Sequence, residues 1–338
     1  MKILVVGAGF YGATIARKLA EAGHEIIVID KRDHIAGNAY DYVNVDGVRI
    51  HKYGPHLFHT NNEEVVEYLG QFTDWVVYYH KVKAILSDGR YVTLPVNRET
   101  KEIVGEENIV ETFIRPYSEK MWGMKLEELD PNIMNRVPIR DDDNELYFPK
   151  DEFQLMPVGG YTKLFERMLD HPNIKVKLSY TFTRACEPKY DYIFNSMPID
   201  EYFDFEFGEL PYRSIKFHTH SLPTPKLLPT AVVNFTHDGP YTRMTEWKNI
   251  PLHGDNERAT WVTYEEPCDY KDNYMERYYP VKDISGKNRD IYRLYAEKAK
   301  LKENMEFIGR CGLYSYLDMD QAVSSALACA NRFLEKNK

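Results

Sequence analysis

Lys2-Ile3-Leu4-Val5-Val6-Gly7-Ala8-Gly9-Phe10-Tyr11-Gly12 opens the chain and decides its class. An apolar strand runs into a glycine turn. The residues after it, ATIARKLAEAG, place apolar side chains at helical spacing, and HEIIVID returns as a second strand ending at Asp30. The unit is βαβ, and its glycines fall where a dinucleotide needs them. Gly7 allows the tight turn, Gly9 lets backbone amides approach a pyrophosphate, and Gly12 lets the helix pack close to the sheet. Asp30 follows about twenty residues on, where a carboxylate accepts from adenosine ribose hydroxyls. NAD and FAD use the same geometry, so these residues alone leave the two open.

Working outward, AGNAYDYVNVDGVRIHKYGPHLFHT is a loop and short-strand region, and residues 61–70 read as a helix. WVVYYHKVKAILSDGRYVTLPVN alternates around an Asp88-Gly89 turn, which begins a second, antiparallel sheet. The pattern from 98 to about 135 is helical and charged, and the Asp-rich stretch at 141–144 is an exposed loop. The α/β style then returns: a helix in YTKLFERMLDH, a strand in IKVKLSYTF and a buried strand at 190–195. RSIKFHTH, TAVVNFTH and ATWVTYEE, separated by Pro and Gly, extend the antiparallel sheet. The expected architecture is α/β. A discontinuous Rossmann-like domain (1–75, 151–210 and 300–338) joins a small helical unit (98–150) and an antiparallel-sheet substrate domain (76–97 and 211–299).

The totals exclude several classes. The chain has 338 residues, 43% of them hydrophobic, which is ample for a core. Its net charge of −9 carries no lysine-arginine block, so the electrostatic footprint of a nucleic-acid binder is missing. Met1 leads straight into a strand and no apolar run is long enough to span a bilayer, so a soluble, cytoplasmic protein is expected. Cys186, Cys268, Cys311 and Cys329 lack metal-ligand spacing, and neither a zinc site nor a disulfide frame is expected. The 26 Tyr, 16 Phe and 4 Trp are an unusual load of flat rings, most of them core but suited to stacking on flat ligands.

A second clue lies near the end, where Gly309-Arg310-Cys311-Gly312 precedes Tyr316-Leu317-Asp318-Met319-Asp320 and a helix. A strand, a glycine turn and a helix whose positive end faces a flavin ring would stabilise negative charge there, which favours FAD.

At this point the chain resembles the UDP-galactopyranose mutases along nearly its whole length. The resemblance is carried by GAGFYGA, AGNAYD, GPHLFHT, RPYSEKMWG, NRVPIR, DDNELYF, MPVGGYTKLFE, PIDEYFDFEFGELPYRS, TRMTEWK, YYPV and GRCGLYSYLDMDQAVSSAL. It implies a flavin-dependent isomerase that interconverts UDP-galactopyranose and UDP-galactofuranose, or a related nucleotide sugar. N5 of reduced FAD attacks the anomeric carbon and no net redox occurs, so the protein's tasks are positioning, charge and proton handling.

The resemblance also implies roles for residues. Arg136 in NRVPIR and Arg243 in TRMTEWK match the pair of arginines that hold the diphosphate, with Arg140 a neighbouring candidate; guanidiniums fork onto phosphate oxygens and stay charged. Tyr117 and Trp122, Tyr147 and Phe148, Glu265, Tyr278 and Tyr279, and Tyr316 with Asp318 match substrate-side positions. His56 and His59 match a loop facing the flavin, where one of them takes or gives a proton. The cofactor set is Gly7, Gly9, Phe10, Gly12, Asp30, Lys31, Gly37, Asn38, His56, Leu57, Arg310, Tyr316, Asp318 and Met319; no metal is implied.

The chain departs from the family in three places. The interval between Asn97 and RPYSEKMWG is shorter than in bacterial mutases, AGN replaces a more usual GGN, and His80 stands where asparagine is common. The short helical unit, with Glu102, Glu106, Glu107 and Glu111 on a solvated face, implies a monomer or a dimer built on another surface. Two alternatives stay open: a flavin amine or sugar oxidoreductase on the same fold, and a non-catalytic nucleotide-sugar-binding homologue.

Overall fold

The structure is a computed structural model describing residues 1–129 and 138–337. Its first layer is a five-stranded parallel sheet in the order Ile174–Lys177, Glu25–Ile29, Lys2–Val6, Tyr192–Asn195, Met305–Phe307. Both faces are covered, and the period of two along each strand divides the side chains between two cores. Ile3, Val5, Ile26 and Val28 pack with the helices Phe10–Glu21, Gly160–Leu169 and Met319–Lys336. Leu4, Val6, Ile27 and Ile29 pack on the opposite side with Tyr202, Phe203, Tyr295 and Phe307. Continuous apolar strands are the consequence. Gly12 allows the first helix to lie close: a Cβ there would meet the Gly7 carbonyl oxygen at 2.0 Å.

The second layer is a seven-stranded sheet in the order Tyr279–Pro280, Tyr212–Leu222, Thr260–Asp269, Arg243–Glu246, Val232–Phe235, Val82–Ile85, Tyr91–Leu94. Neighbours run antiparallel except Val82–Ile85 against Val232–Phe235, which run parallel. The turn at Asp88-Gly89 closes the expected hairpin, with Gly89 N–H donating to Leu86 O and Asp88 Oδ1 accepting from Arg90 N–H.

Two elements differ from expectation. The alternating pattern places Trp75–Val77 at the start of the large sheet, but it pairs with Phe153–Pro157, which also pairs with Phe58–Thr60. Trp75 stacks on Phe58 at 5.1 Å, so a ring contact across this small sheet selects its partner. The sequence assigns residues 281–299 to the sheet domain, yet Lys287–Ala299 is a helix. Four of its apolar residues share one side: Ile291, Tyr292, Tyr295 and Ala299 meet the second core of the parallel sheet, while Leu294 is exposed.

The helical unit contains Arg98–Val104, capped by the Asn97 side chain, and Arg115–Trp122, with a π-type turn at Val110–Ile114. Glu102, Glu106, Glu107 and Glu111 are all exposed. Among the described residues no helix is long and apolar enough to cross a membrane, no group of side chains could hold a metal, and the four cysteines are unpaired thiols.

Candidate active site

A cavity of about 310 Å³ opens at the carboxyl ends of the parallel strands. Gly7, Gly9, Phe10, Gly12, Asp30, Lys31, Gly37, Asn38, His56, Arg310, Asp318 and Met319 all line it. Two of the expected cofactor residues stand elsewhere: Leu57 packs against the main core, and Tyr316 stacks on Tyr279 at 5.7 Å. Asp30 is fixed by two backbone donors, Ala8 N–H and Arg32 N–H, each at 2.9 Å. Gly9 precedes the first helix without any side-chain cap, so the first-turn N–H groups are open to an anion. Gly37 sits at φ +54°, and a Cβ on it would come within 2.9 Å of Gly9 Cα. A carboxylate held at a strand end, a bare helix N-terminus and two glycine backbones in near contact fit a dinucleotide.

Beside this cavity the antiparallel sheet contributes a group of charged and aromatic side chains. Arg243 and Glu265 are directly opposed across adjacent strands, and their Nε and Oε2 atoms lie 2.8 Å apart. The Glu265 side chain is 1% exposed. Charge rather than alignment holds the pair, because Arg243 Nε and Glu265 Oε1 are both buried without a well-formed hydrogen bond. Burial opposes the charge on Arg243, but Glu265, Tyr117 and Tyr279 nearby more than offset it and raise its pKa further. Burial raises the Glu265 carboxyl, against the pull of Arg243. Tyr117 is likewise pushed up by burial. Tyr117, Trp122, Tyr278 and Tyr279 join one apolar cluster around Met121 and Ile215. The Arg310 guanidinium lies 4.5 Å from the centre of the Tyr316 ring, and its N–H groups donate to the carbonyls of Leu317 and Tyr278. Arg310 therefore ties the Tyr278–Tyr279 segment to the start of the last helix.

The histidines fall into three settings. His56 lines the cavity and its Nδ1 donates to Gly54 O at 2.9 Å. Burial lowers its pKa to about 4, with Arg310 and Arg243 adding to the shift and the Gly54 bond opposing it. Its ring is neutral at pH 7. His59 stacks on Phe148 at 3.5 Å and contacts Asp151 at 2.6 Å, and Tyr147 packs edge-on against Phe148. His80, also close to Tyr147, is lowered to about 3 by burial first, then by Arg243 and His59. Behind His56, its backbone N–H donates to His51 Nδ1, and His51 Nε2 meets His253 Nε2.

Arg136 lies outside the described residues. Arg140 commits its fork to the carbonyls of Leu146, Asn144 and Pro95, which makes it the organiser of its own loop. Some lining residues had no role in the sequence reading: Arg32, Tyr180, Ser196, Glu201, Glu276 and Arg277. For Ser196 a signal existed, since it follows a buried strand as Gly7 does, and its Oγ donates to Val6 O. The others come together only through the fold.

A parallel sheet with a dinucleotide cavity, joined to an antiparallel sheet that presents a partly buried arginine and stacked tyrosines, defines an enzyme of the dinucleotide-binding α/β class. Residues 5–72 match the NAD(P)-binding Rossmann-like domain, and residues 112–316 match the UDP-galactopyranose mutase family. The chain is 33% identical to a dTDP-fucopyranose mutase from Escherichia coli, over all of this chain and 99% of that protein. It is 33% identical to a probable UDP-galactopyranose mutase from Klebsiella pneumoniae, over 98% of this chain and 94% of that one. The crystal structure of reduced UDP-galactopyranose mutase superposes with a TM-score of 0.75 at 17% identity, covering 99% of this chain and 95% of that one. The chain belongs to the UDP-galactopyranose mutase family and is an isomerase of that family.

Proposed function

We propose that this isomerase interconverts the pyranose and furanose forms of a nucleotide-linked sugar, with FAD in the cavity beside Asp30. The observation that carries the reading is the convergence of Arg243, Tyr117, Tyr279 and Arg310 beside the cavity end that holds His56. Bound reduced FAD supplies a nucleophilic N5 toward the anomeric carbon, without net redox. Arg243 offers a permanent charge to the departing diphosphate, with Arg136 as its counterpart, and Glu265 keeps that guanidinium in place. The tyrosines give the nucleotide and sugar flat faces with polar tips. Neutral His56, with Nδ1 engaged, leaves Nε2 able to accept a proton as the ring opens. The antiparallel sheet thus serves the substrate and the parallel sheet the cofactor. A substrate carrying a charged diphosphate does not cross bilayers, which suits a cytoplasmic enzyme.

The test is to incubate dithionite-reduced and air-oxidised enzyme with UDP-galactopyranose and dTDP-fucopyranose and to separate ring forms by chromatography. Furanose from the reduced enzyme alone is expected. Equal turnover by strictly oxidised enzyme would overturn the mechanism, and the preferred nucleotide sugar would name the substrate.

A further inference from the structure

We propose that the segment 273–277, which comes from the antiparallel side of the molecule, is part of the cofactor site. It acts as a clasp over the adenosine diphosphate end of the cavity, held shut by Glu276 on Lys31 and Arg32. The proposal rests on the reading of this cavity as an FAD site.

Contacts on two separate elements carry it. Met275, Glu276 and Arg277 line the same cavity as Gly9 and Asp30. Glu276 takes both cations that follow Asp30, with Arg32 Nη2 at 2.5 Å and Lys31 Nζ at 3.7 Å. Arg32 is only 14% exposed at its side chain, its ring neighbour Tyr53 lies 4.2 Å away, and its other Nη donates to Asn38 in the cavity wall. On the far side of the segment Arg277 Nη1 reaches Glu201 at 3.1 Å. Glu201 lies just beyond Ser196, Met197 and Pro198, which also line the cavity. The segment therefore bridges the ends of two parallel strands, those finishing at Ile29 and Asn195. Asp30 marks the ribose end of the cavity, so the bridge covers that end and not the end beside His56 and Arg243.

The backbone agrees with a strained closure. Tyr274 and Met275 have φ of +53° and +62°, left-handed conformations that are strained for non-glycine residues. The Tyr274 ring is 95% exposed, so its burial does not offset that strain. The segment is instead held by charge at 276 and 277 and by Asn273, whose side chain donates to Ser214 Oγ and Ile215 O. An ion pair that closes a site partly open to water is weakened by salt, so salt should speed cofactor release.

The experiment measures FAD release from the full-length holoprotein by the return of free-flavin fluorescence on dilution. It compares wild type with Glu276→Gln, at salt from about 50 mM to about 500 mM. Release at least tenfold faster in Glu276→Gln at low salt, and salt-accelerated release in wild type that the variant lacks, are expected. Wild-type release from Glu276→Gln, or wild-type release indifferent to salt, would overturn the clasp; if the variant does not fold, the wild-type salt series decides alone. A wild-type protein that binds no FAD would overturn the cofactor reading itself, an outcome distinct from the other two.

Discussion

His51 Nε2 lies 2.9 Å from His253 Nε2, and the bonds on either side leave one arrangement of protons. His253 Nδ1 donates to Pro251 O, so its Nε2 is bare and accepts from His51. His51 Nδ1 in turn accepts the backbone N–H of His56. The chain works only when every ring is neutral. Burial drives His51 well below its usual value and His253 to about 4, with Arg49 beside both.

A pH dependence of stability follows. These histidines have folded pKa values below the unfolded value, so the unfolded chain binds more protons between the two. Their contribution is complete above the unfolded value of 6.5 and is lost as pH falls toward about 4. The loss is steepest at about 1.4 kcal/mol per pH unit for each histidine. His253→Gln keeps an acceptor for His51 but cannot titrate, and should remove close to one proton from the uptake on unfolding in this window. Thermal melts across the window measure it; an unchanged slope would mean His253 is not buried neutral.

Arg243 and Glu265 call for a paired experiment. Arg243→Ala should cut turnover by orders of magnitude, but it also strands a buried carboxylate and should cost about 3–5 kcal/mol of stability. Adding Glu265→Gln should restore much of the stability and none of the turnover. Denaturant melts and product assays on both variants separate the two effects. Recovery of turnover in the double variant would show that Arg243 serves only to balance Glu265.

Gly37→Ala tests the near contact with Gly9. The new methyl would press on Gly9 Cα, and the left-handed backbone adds roughly 1 kcal/mol. The variant should fold yet purify with a much lower flavin content, read as the ratio of visible flavin absorbance to protein absorbance. Full flavin content would show that the Gly9–Gly37 approach is not part of the cofactor cradle.

The helical unit makes a prediction about assembly. Glu102, Glu106, Glu107 and Glu111 are exposed, and among the described residues Glu111 alone of the four has an ion-pair partner, Arg115. Burying that face in a dimer would desolvate several carboxylates at once. Light scattering should give the same mass for wild type and for Glu106→Lys/Glu107→Lys; a change of mass in the variant would place a contact here.

What the sequence made legible was local. GAGFYG and Asp30 announced the cofactor cavity because strand, turn and helix are contiguous there, and each glycine has its own steric reason. The Asp88-Gly89 hairpin was readable for the same cause. The helix Lys287–Ala299 is hidden in the sequence because charged residues are as numerous as its apolar ones, and its partner is a sheet assembled from distant segments. Glu276 could not be assigned, since nothing near it in sequence shows that it meets Lys31 and Arg32. The substrate-side residues were found through family motifs rather than spacing. Tyr117, Arg243 and Tyr279 have no common local pattern, and only the fold brings them together.

The parallel sheet draws its strands from three stretches of chain, with the antiparallel strands strung between them. The polypeptide laces the two layers together, so no single cut yields two self-sufficient halves. A fragment ending near residue 210 would lack both the last parallel strand and the long helix covering it. Change in length is tolerable only on outward excursions of the chain, such as the helices around 98–129. The alignment to the Escherichia coli relative spans 381 positions against the 338 residues here, so the relative carries material this chain does without. A lineage could trim such an excursion repeatedly and never disturb the lacing, but it could not inherit one layer without the other.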